Sequence, residues 1–206
     1  MNQPDESCAS LPESVYHESN VSVPDLPDAT YGQDVRLMTG FRILHQISKL
    51  RFGNKVEFYP NCIVYGTGRF TLGDNVMFYP NQFISLGPET GFIDVGHTSH
   101  FAPGCSLYGH GGLTVGPHCN IAANVVLATV QHDPVNRGVP MSQTQESGPI
   151  VLEEDIWIGA NAVVTSNVKI AKGCIIGAGA VVTRDTEPNG VYLGVPAKRV
   201  GDRRQP

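Results

Sequence analysis

Apolar residues return at every sixth position along most of this chain, and that period leaves few folds open. Written in sixes, the body reads FGNKVE, FYPNCI, LGDNVM, FYPNQF, VGHTSH, FAPGCS, VGPHCN and IAANVV. After a gap it resumes as LEEDIW, IGANAV, VTSNVK, IAKGCI, IGAGAV and VTRDTE. With the third members of the early turns included, eighteen positions lead a hexapeptide. They are Phe52, Phe58, Val64, Leu72, Phe78, Ile84, Val95, Phe101, Leu107, Val115, Ile121, Leu127, Leu152, Ile158, Val164, Ile170, Ile176 and Val182. Only 41 % of the chain is hydrophobic, so an unbroken apolar run of eighteen is not accidental.

Six residues are three strand alternations, so each lead residue returns to the inner side of a short strand. Three such strands close one triangular coil, and stacked coils bury a continuous column of side chains. The chain must then turn sharply between strands. Three residues after the lead, twelve positions hold Asn, Asp or Gly: Asn61, Asn75, Asn81, Gly87, Gly104, Asn124, Asp155, Asn161, Asn167, Gly173, Gly179 and Asp185. These residues accept a positive φ at least cost. His110 and His118 are assigned to the same kind of turn slot. The pattern therefore predicts a parallel β-helix over residues 52–200; the spacing does not set its hand.

Outside the helix, residues 1–51 read as an acidic extension followed by a short helix. Residues 1–35 carry seven carboxylates and no Lys or Arg, although the whole chain has a net charge of only −5. In RLMTGFRILHQISKLR, Leu37, Phe41, Leu44 and Ile47 share one helical face, with Asp34 as N-cap and Gly53 as stop. Such a helix would close the open end of the first coil. Residues 201–206 form a basic tail, and a polar interruption at 133–151 follows the fourth coil. Functional groups gather on loops that break a repeat.

The acidic balance speaks against a nucleic-acid partner. No apolar run reaches the roughly 20 residues of a membrane span, and the first residues lack a signal pattern, so a cytoplasmic location is expected. Cys62, Cys105, Cys119 and Cys174 each fall four residues after a lead, where a small inward side chain fits; they read as reduced core filler. Seven histidines raise the question of a metal, but no two are five residues apart as in the zinc-binding β-helix carbonic anhydrases, and no metal is expected.

The lines IWIGANAVVTSNVKIAKGCIIGAGAVVT and GVPAKRV resemble the hexapeptide-repeat acyltransferases, and most closely their sugar O-acetyltransferase branch of galactoside, maltose and capsular-polysaccharide enzymes. The resemblance spans about residues 52–200. It implies a left-handed parallel β-helix, a homotrimer with sites between subunits, acetyl-CoA as co-substrate and a sugar or polysaccharide hydroxyl as acceptor. It also implies roles for individual residues. His132 matches the family's catalytic base, a job that suits an imidazole near neutral pH. Asp133 either orients His132 or serves a turn before Pro134. Asn124 matches an acceptor-contacting residue, yet it also fills a turn slot where Asn is expected on backbone grounds.

Trp157 points outward and matches a wall of the acyl-donor cleft, although a subunit contact would also suit it. Gly159 and Ala160 follow it, and the family's amide at Ala160 meets the thioester oxygen. Ala178 and Thr183 would line the narrow part of the groove, with Arg184, Lys198 and Arg199 near the coenzyme's phosphates. The N-terminal acceptor-binding segment of the galactoside and maltose enzymes is not recognisable in residues 1–51. A streptogramin-type antibiotic acetyltransferase and a non-enzymatic trimeric scaffold are the alternative readings.

Overall fold

The computed structural model describes residues 11–132, 139 and 145–205. Its strands stack into a parallel β-solenoid of about eight turns. Every turn visits three faces. Face 1 is a ten-stranded sheet that starts at Val15–His17 and includes Glu57–Phe58, Trp157–Ile158, Ile175–Ile176 and Gly190–Leu193. Face 2 has seven strands, from Arg42–Ile43 through Phe83–Ser85 and Val126–Ala128 to Val181–Val182. Face 3 also has seven, from Thr30–Tyr31 to Val168–Ile170.

The lead residues build the core in register. Phe58 lies beside Phe78, Phe78 beside Phe101, and the column continues through Ile121, Ile158 and Ile176. The aromatic members stack, with ring centroids 4.8 Å apart for Phe58–Phe78 and 4.6 Å for Phe78–Phe101. All eighteen lead residues are buried. Stacking identical positions lets like side chains pack on like, so one coil's geometry templates the next.

Eleven of the twelve predicted corner residues have positive φ; Asp185 does not, and its carboxylate instead accepts the Lys169 amide at 2.8 Å. His118 has φ 59, but His110 does not occupy the left-handed slot. Gly112, two residues on, takes it with φ 92, because the GHGG corner is wider than its neighbours. The four cysteines in the described residues are buried and free, and burial pushes the thiols of Cys62, Cys105 and Cys119 up to about 11.

The helix expected over 36–51 is absent. That stretch forms the strands Val35–Leu37, Arg42–Ile43 and Lys49–Phe52, and the solenoid begins a coil earlier still, at Val15. The reason lies in the repeat itself. A lead residue and the inward slot four positions later mimic helical spacing, so Leu37, Phe41 and Ile47 are all buried while Leu44 is 49 % exposed. Asp34 is a corner residue at φ 57 rather than a cap. Gly53 is a corner too; a Cβ there would lie 2.5 Å from the Asp74 carboxylate. At the other end, Lys198–Asp202 folds back antiparallel on Gly190–Leu193, and Arg203 ties this hairpin to the Asp155 carbonyl at 2.9 Å. Among the described residues no helix is long and apolar enough to cross a membrane.

Candidate functional site

The corner between faces 1 and 2 is built from one hydrogen-bond rule repeated from the coil of Phe58 to that of Ile176. The residue after the lead donates to the coil above, as Gly159 does to the Ile176 carbonyl at 2.7 Å. The third residue donates to the coil below, as Asn161 does to Ala123. The second residue's amide has no backbone partner. Pro60, Pro80 and Pro103 occupy that slot in three successive coils, which a residue without an N–H can do freely. Thr39 occupies it in an earlier coil, and there the Glu18 carboxylate accepts the amide at 2.9 Å. In the last three coils the slot holds Ala123, Ala160 and Ala178, whose N–H groups have no partner among the described residues.

Three open main-chain donors thus run along one corner, separated by the roughly 4.8 Å spacing of adjacent strands. Trp157 stands beside them on face 1, 50 % exposed, between Asn120 and Ile175. Gly159 is buried and its amide is spent in the ladder; a Cβ there would lie 2.5 Å from the Ala178 nitrogen. Asn124 shares this corner at φ 58, and its side-chain amide donates to Asn161 Oδ1 at 3.3 Å. The ladder accounts for Asn124 without any ligand.

The corner between faces 2 and 3 carries the other group. His132 ends the strand Val130–His132, which pairs antiparallel with Gln145–Ser147, so the interruption leaves the solenoid as a hairpin. His132 lies opposite Gln145 and is exposed. Thr129 anchors the hairpin's base. Its fully buried hydroxyl donates to the Tyr108 carbonyl at 2.7 Å and accepts the Gly111 amide at 3.0 Å. Gly111 and Gly148 meet too closely for a side chain, since a Cβ on Gly111 would lie 2.5 Å from the Gly148 nitrogen. Thr183 and Arg184 are exposed at the same corner of the last coil. Asp133 lies outside the described residues.

Lys198 and Arg199 belong to the terminal hairpin, whose turn rests on Val181: the Ala197 amide donates to the Val181 carbonyl at 2.8 Å. Lys198 and Arg184 form no ion pair among the described residues. Arg199 is already engaged by Glu187 and by Asp202 at 3.1 Å. One chain therefore gathers Trp157, Ala160, Ala178 and Lys198 at one corner and places His132, Thr183 and Arg184 at the next. Face 2 separates them, on the order of 15–20 Å for five or six extended residues. His97 and His118 do meet, edge to face at 4.8 Å, but no third ligand joins them among the described residues.

The family described as bacterial transferase hexapeptide (six repeats) matches residues 149–184, the stretch that carries Trp157, Ala160 and Ala178. Galactoside O-acetyltransferase of Escherichia coli (strain K12) is 31 % identical over 128 residues, or 62 % of this chain. Over residues 149–184 the chain is thus similar to hexapeptide-repeat transferases, and over a longer stretch to the galactoside enzyme. It spans 61 % of that galactoside enzyme's length. A tetrahydropyridine-dicarboxylate N-acetyltransferase of Staphylococcus aureus is 38 % identical over 79 residues, 38 % of this chain and 28 % of its own length. Among solved structures, the polySia-specific acetyltransferase NeuO superposes with a TM-score of 0.59 at 19 % identity, covering 93 % of this chain and 88 % of its own. The Bacillus cereus N-acyltransferase AntD, solved with dTDP and 3-hydroxybutyryl-CoA, gives 0.56 at 19 % identity over 93 % and 81 %. At these identities the two structures speak to the fold.

Two features of the site do not stand out as single residues. The change from Pro60, Pro80 and Pro103 to Ala123, Ala160 and Ala178 is visible in the sequence once the repeats are aligned. Thr129 is not visible there, because only the coil below shows what its hydroxyl holds.

Proposed function

We propose that the protein transfers an acetyl group from acetyl-CoA to a hydroxyl of a sugar or polysaccharide. The observation that carries this reading is the open amide of Ala160, beside an outward Trp157, within the stretch matched by the transferase hexapeptide family. The name of the galactoside O-acetyltransferase relative supports a sugar acceptor.

In this reading the pantetheine arm lies along the corner past Trp157 and Ala178. Lys198, and Arg184 from the facing corner of the neighbouring copy, form no ion pair among the described residues and meet the phosphates; Arg199, held by Glu187 and Asp202, contributes shape more than charge. His132 takes the acceptor's hydroxyl proton as the oxygen attacks the acetyl carbonyl carbon. The carbonyl electrons move onto oxygen, where the Ala160 N–H donates to them. Collapse breaks the carbon–sulfur bond, and the departing thiolate takes the proton back from His132. No acyl-enzyme is needed, and the buried, proton-holding thiols of Cys62, Cys105 and Cys119 are unsuited to forming one.

A single chain leaves His132 and Ala160 on opposite edges of face 2, so the site closes between copies. Val126, Val163 and Val181 give the upper part of that face an aliphatic surface suited to a neighbouring subunit, and a closed trimer repeats the contact three times. Coenzyme A release, followed with a thiol reagent over a panel of sugars, tests the reading. Release should depend on both acetyl-CoA and a sugar, and fall roughly 10²–10⁴-fold in His132→Ala. Unchanged turnover in that variant would remove His132 from the mechanism, and no release with any sugar would remove the activity.

A further inference from the structure

The positive-φ residues that turn the corner between faces 1 and 2 form a column of asparagines and glycines, and its asparagines are bonded in pairs. Asn61 Nδ2 donates to Asn81 Oδ1 at 3.4 Å, and Asn124 Nδ2 donates to Asn161 Oδ1 at 3.3 Å. Each pair starts above a glycine whose missing side chain makes room for a carboxamide oxygen. A Cβ on Gly40 would lie 2.5 Å from Asn61 Oδ1, and one on Gly104 would lie 2.4 Å from Asn124 Oδ1. All four oxygens therefore face down the solenoid and the amide nitrogens face up. The upper ends of the two pairs differ. Asn81 ends beneath Gly104, where Asn124 Oδ1 fills the side-chain position and the adjoining slots hold Pro80 and Pro103. Asn161 ends beneath Gly179, where a Cβ would meet nothing within 4 Å, and the adjoining slots hold the open amides of Ala160 and Ala178. Asn161 is exposed, and its Nδ2 donates to no other described residue.

We infer that Asn161 binds the acyl donor: its Nδ2 and the Ala178 amide together hold the coenzyme's amide carbonyl nearest the sulfur, while the Ala160 amide holds the thioester oxygen. The inference rests on the acetyl-CoA reading and adds a side-chain donor to a cleft otherwise built from main-chain amides and Trp157. The ligand's chemistry fits the donors. A carbonyl oxygen has two lone pairs and accepts two N–H groups at once. Sulfur, two methylenes and a nitrogen separate the thioester carbonyl from that amide carbonyl, enough to cover the one strand spacing of about 4.8 Å between Ala160 and Ala178. The column fixes what Asn161 can offer. Its oxygen is committed to Asn124, so only N–H groups face the notch, and these suit a carbonyl oxygen rather than a cation or another N–H. The turn alone does not require an amide here. Asp34 and Asp155 take the same kind of conformation at φ 57 and 58, and an aspartate at 161 would still accept from Asn124.

The test is calorimetric titration of the full chain with coenzyme A, in wild type, Asn161→Asp, Asn161→Gly and the matched controls Asn81→Asp and Asn81→Gly. Both Asn161 variants should bind coenzyme A about tenfold more weakly, the loss expected for one hydrogen bond to a buried carbonyl. The glycine form separates a lost donor from an added negative charge. The Asn81 variants lose the equivalent bond within the column, and their affinity should stay within about twofold of wild type. With a sugar that supports turnover, the tenfold factor should reappear in KM for acetyl-CoA, with kcat within about threefold. Wild-type affinity in either Asn161 variant would overturn the assignment. Equal weakening in the Asn81 and Asn161 pairs would overturn it too, by making the effect one of turn structure. A fall in kcat at unchanged KM would take Asn161 away from the arm. Any of these, with coenzyme A still binding to wild type, leaves the transferase reading standing; no binding of coenzyme A to wild type would end both.

Discussion

At the scale of single residues, the proposed reaction turns on an atom that belongs to no side chain, the amide nitrogen of Ala160. Because Pro60, Pro80 and Pro103 fill the same slot in earlier coils, Ala160→Pro removes one N–H with little expected cost to the fold. We expect an unchanged far-ultraviolet spectrum and melting point, with coenzyme A release down about 10²–10³-fold, whereas Ala160→Gly keeps the donor and most activity. The cysteines give a second residue-scale prediction. Burial raises the thiols of Cys62, Cys105 and Cys119 from 9.0 to about 11, so the folded chain keeps protons that the unfolded chain releases. Stability is therefore unaffected below about pH 9 and falls as pH rises from there towards 11. Denaturant unfolding should show this decline, and a triple Cys→Ala variant should flatten it. A decline of equal steepness in the variant would assign it to other groups.

At the scale of elements, the corner between faces 2 and 3 decides where His132 sits. Thr129→Val leaves the Tyr108 carbonyl and the Gly111 amide without partners, a loss of about 2–4 kcal/mol. A lowered thermal midpoint in Thr129→Val, restored by Thr129→Ser, checks this; equal stability of all three would show that the corner is held elsewhere. The elements themselves were mostly legible, because a period of six forces the same burial at every lead from Phe52 to Val182. The stretch 36–51 was misread because Leu37, Phe41 and Ile47 satisfy a helical and a hexapeptide spacing at once. Positive φ at Asp34 and Gly40 separates the two, and only the structure displays it. The site was half legible. His132 and Trp157 stand out as residue types, whereas the open amides depend on a bonding pattern between coils that no single line of sequence contains.

At the scale of the whole molecule, the solenoid sorts its groups by height: the exposed rings of Tyr65 and Phe83 lie on the lower coils of face 2, His132 in the sixth coil, and the open amides in the last three. His132 and the Ala160 amide lie on different corners, so the proposed reaction requires neighbouring copies to complete one another's sites, and sedimentation should find a trimer rather than a monomer. Co-expressing His132→Ala with Ala160→Pro tests that requirement most directly. Each variant alone should be nearly inactive. If every site takes His132 from one copy and Ala160 from the next, randomly mixed trimers should regain about a quarter of wild-type coenzyme A release. If both groups act within a single chain, every copy in the mixture carries a lesion, and release that stays at the level of the separate variants would contradict the account.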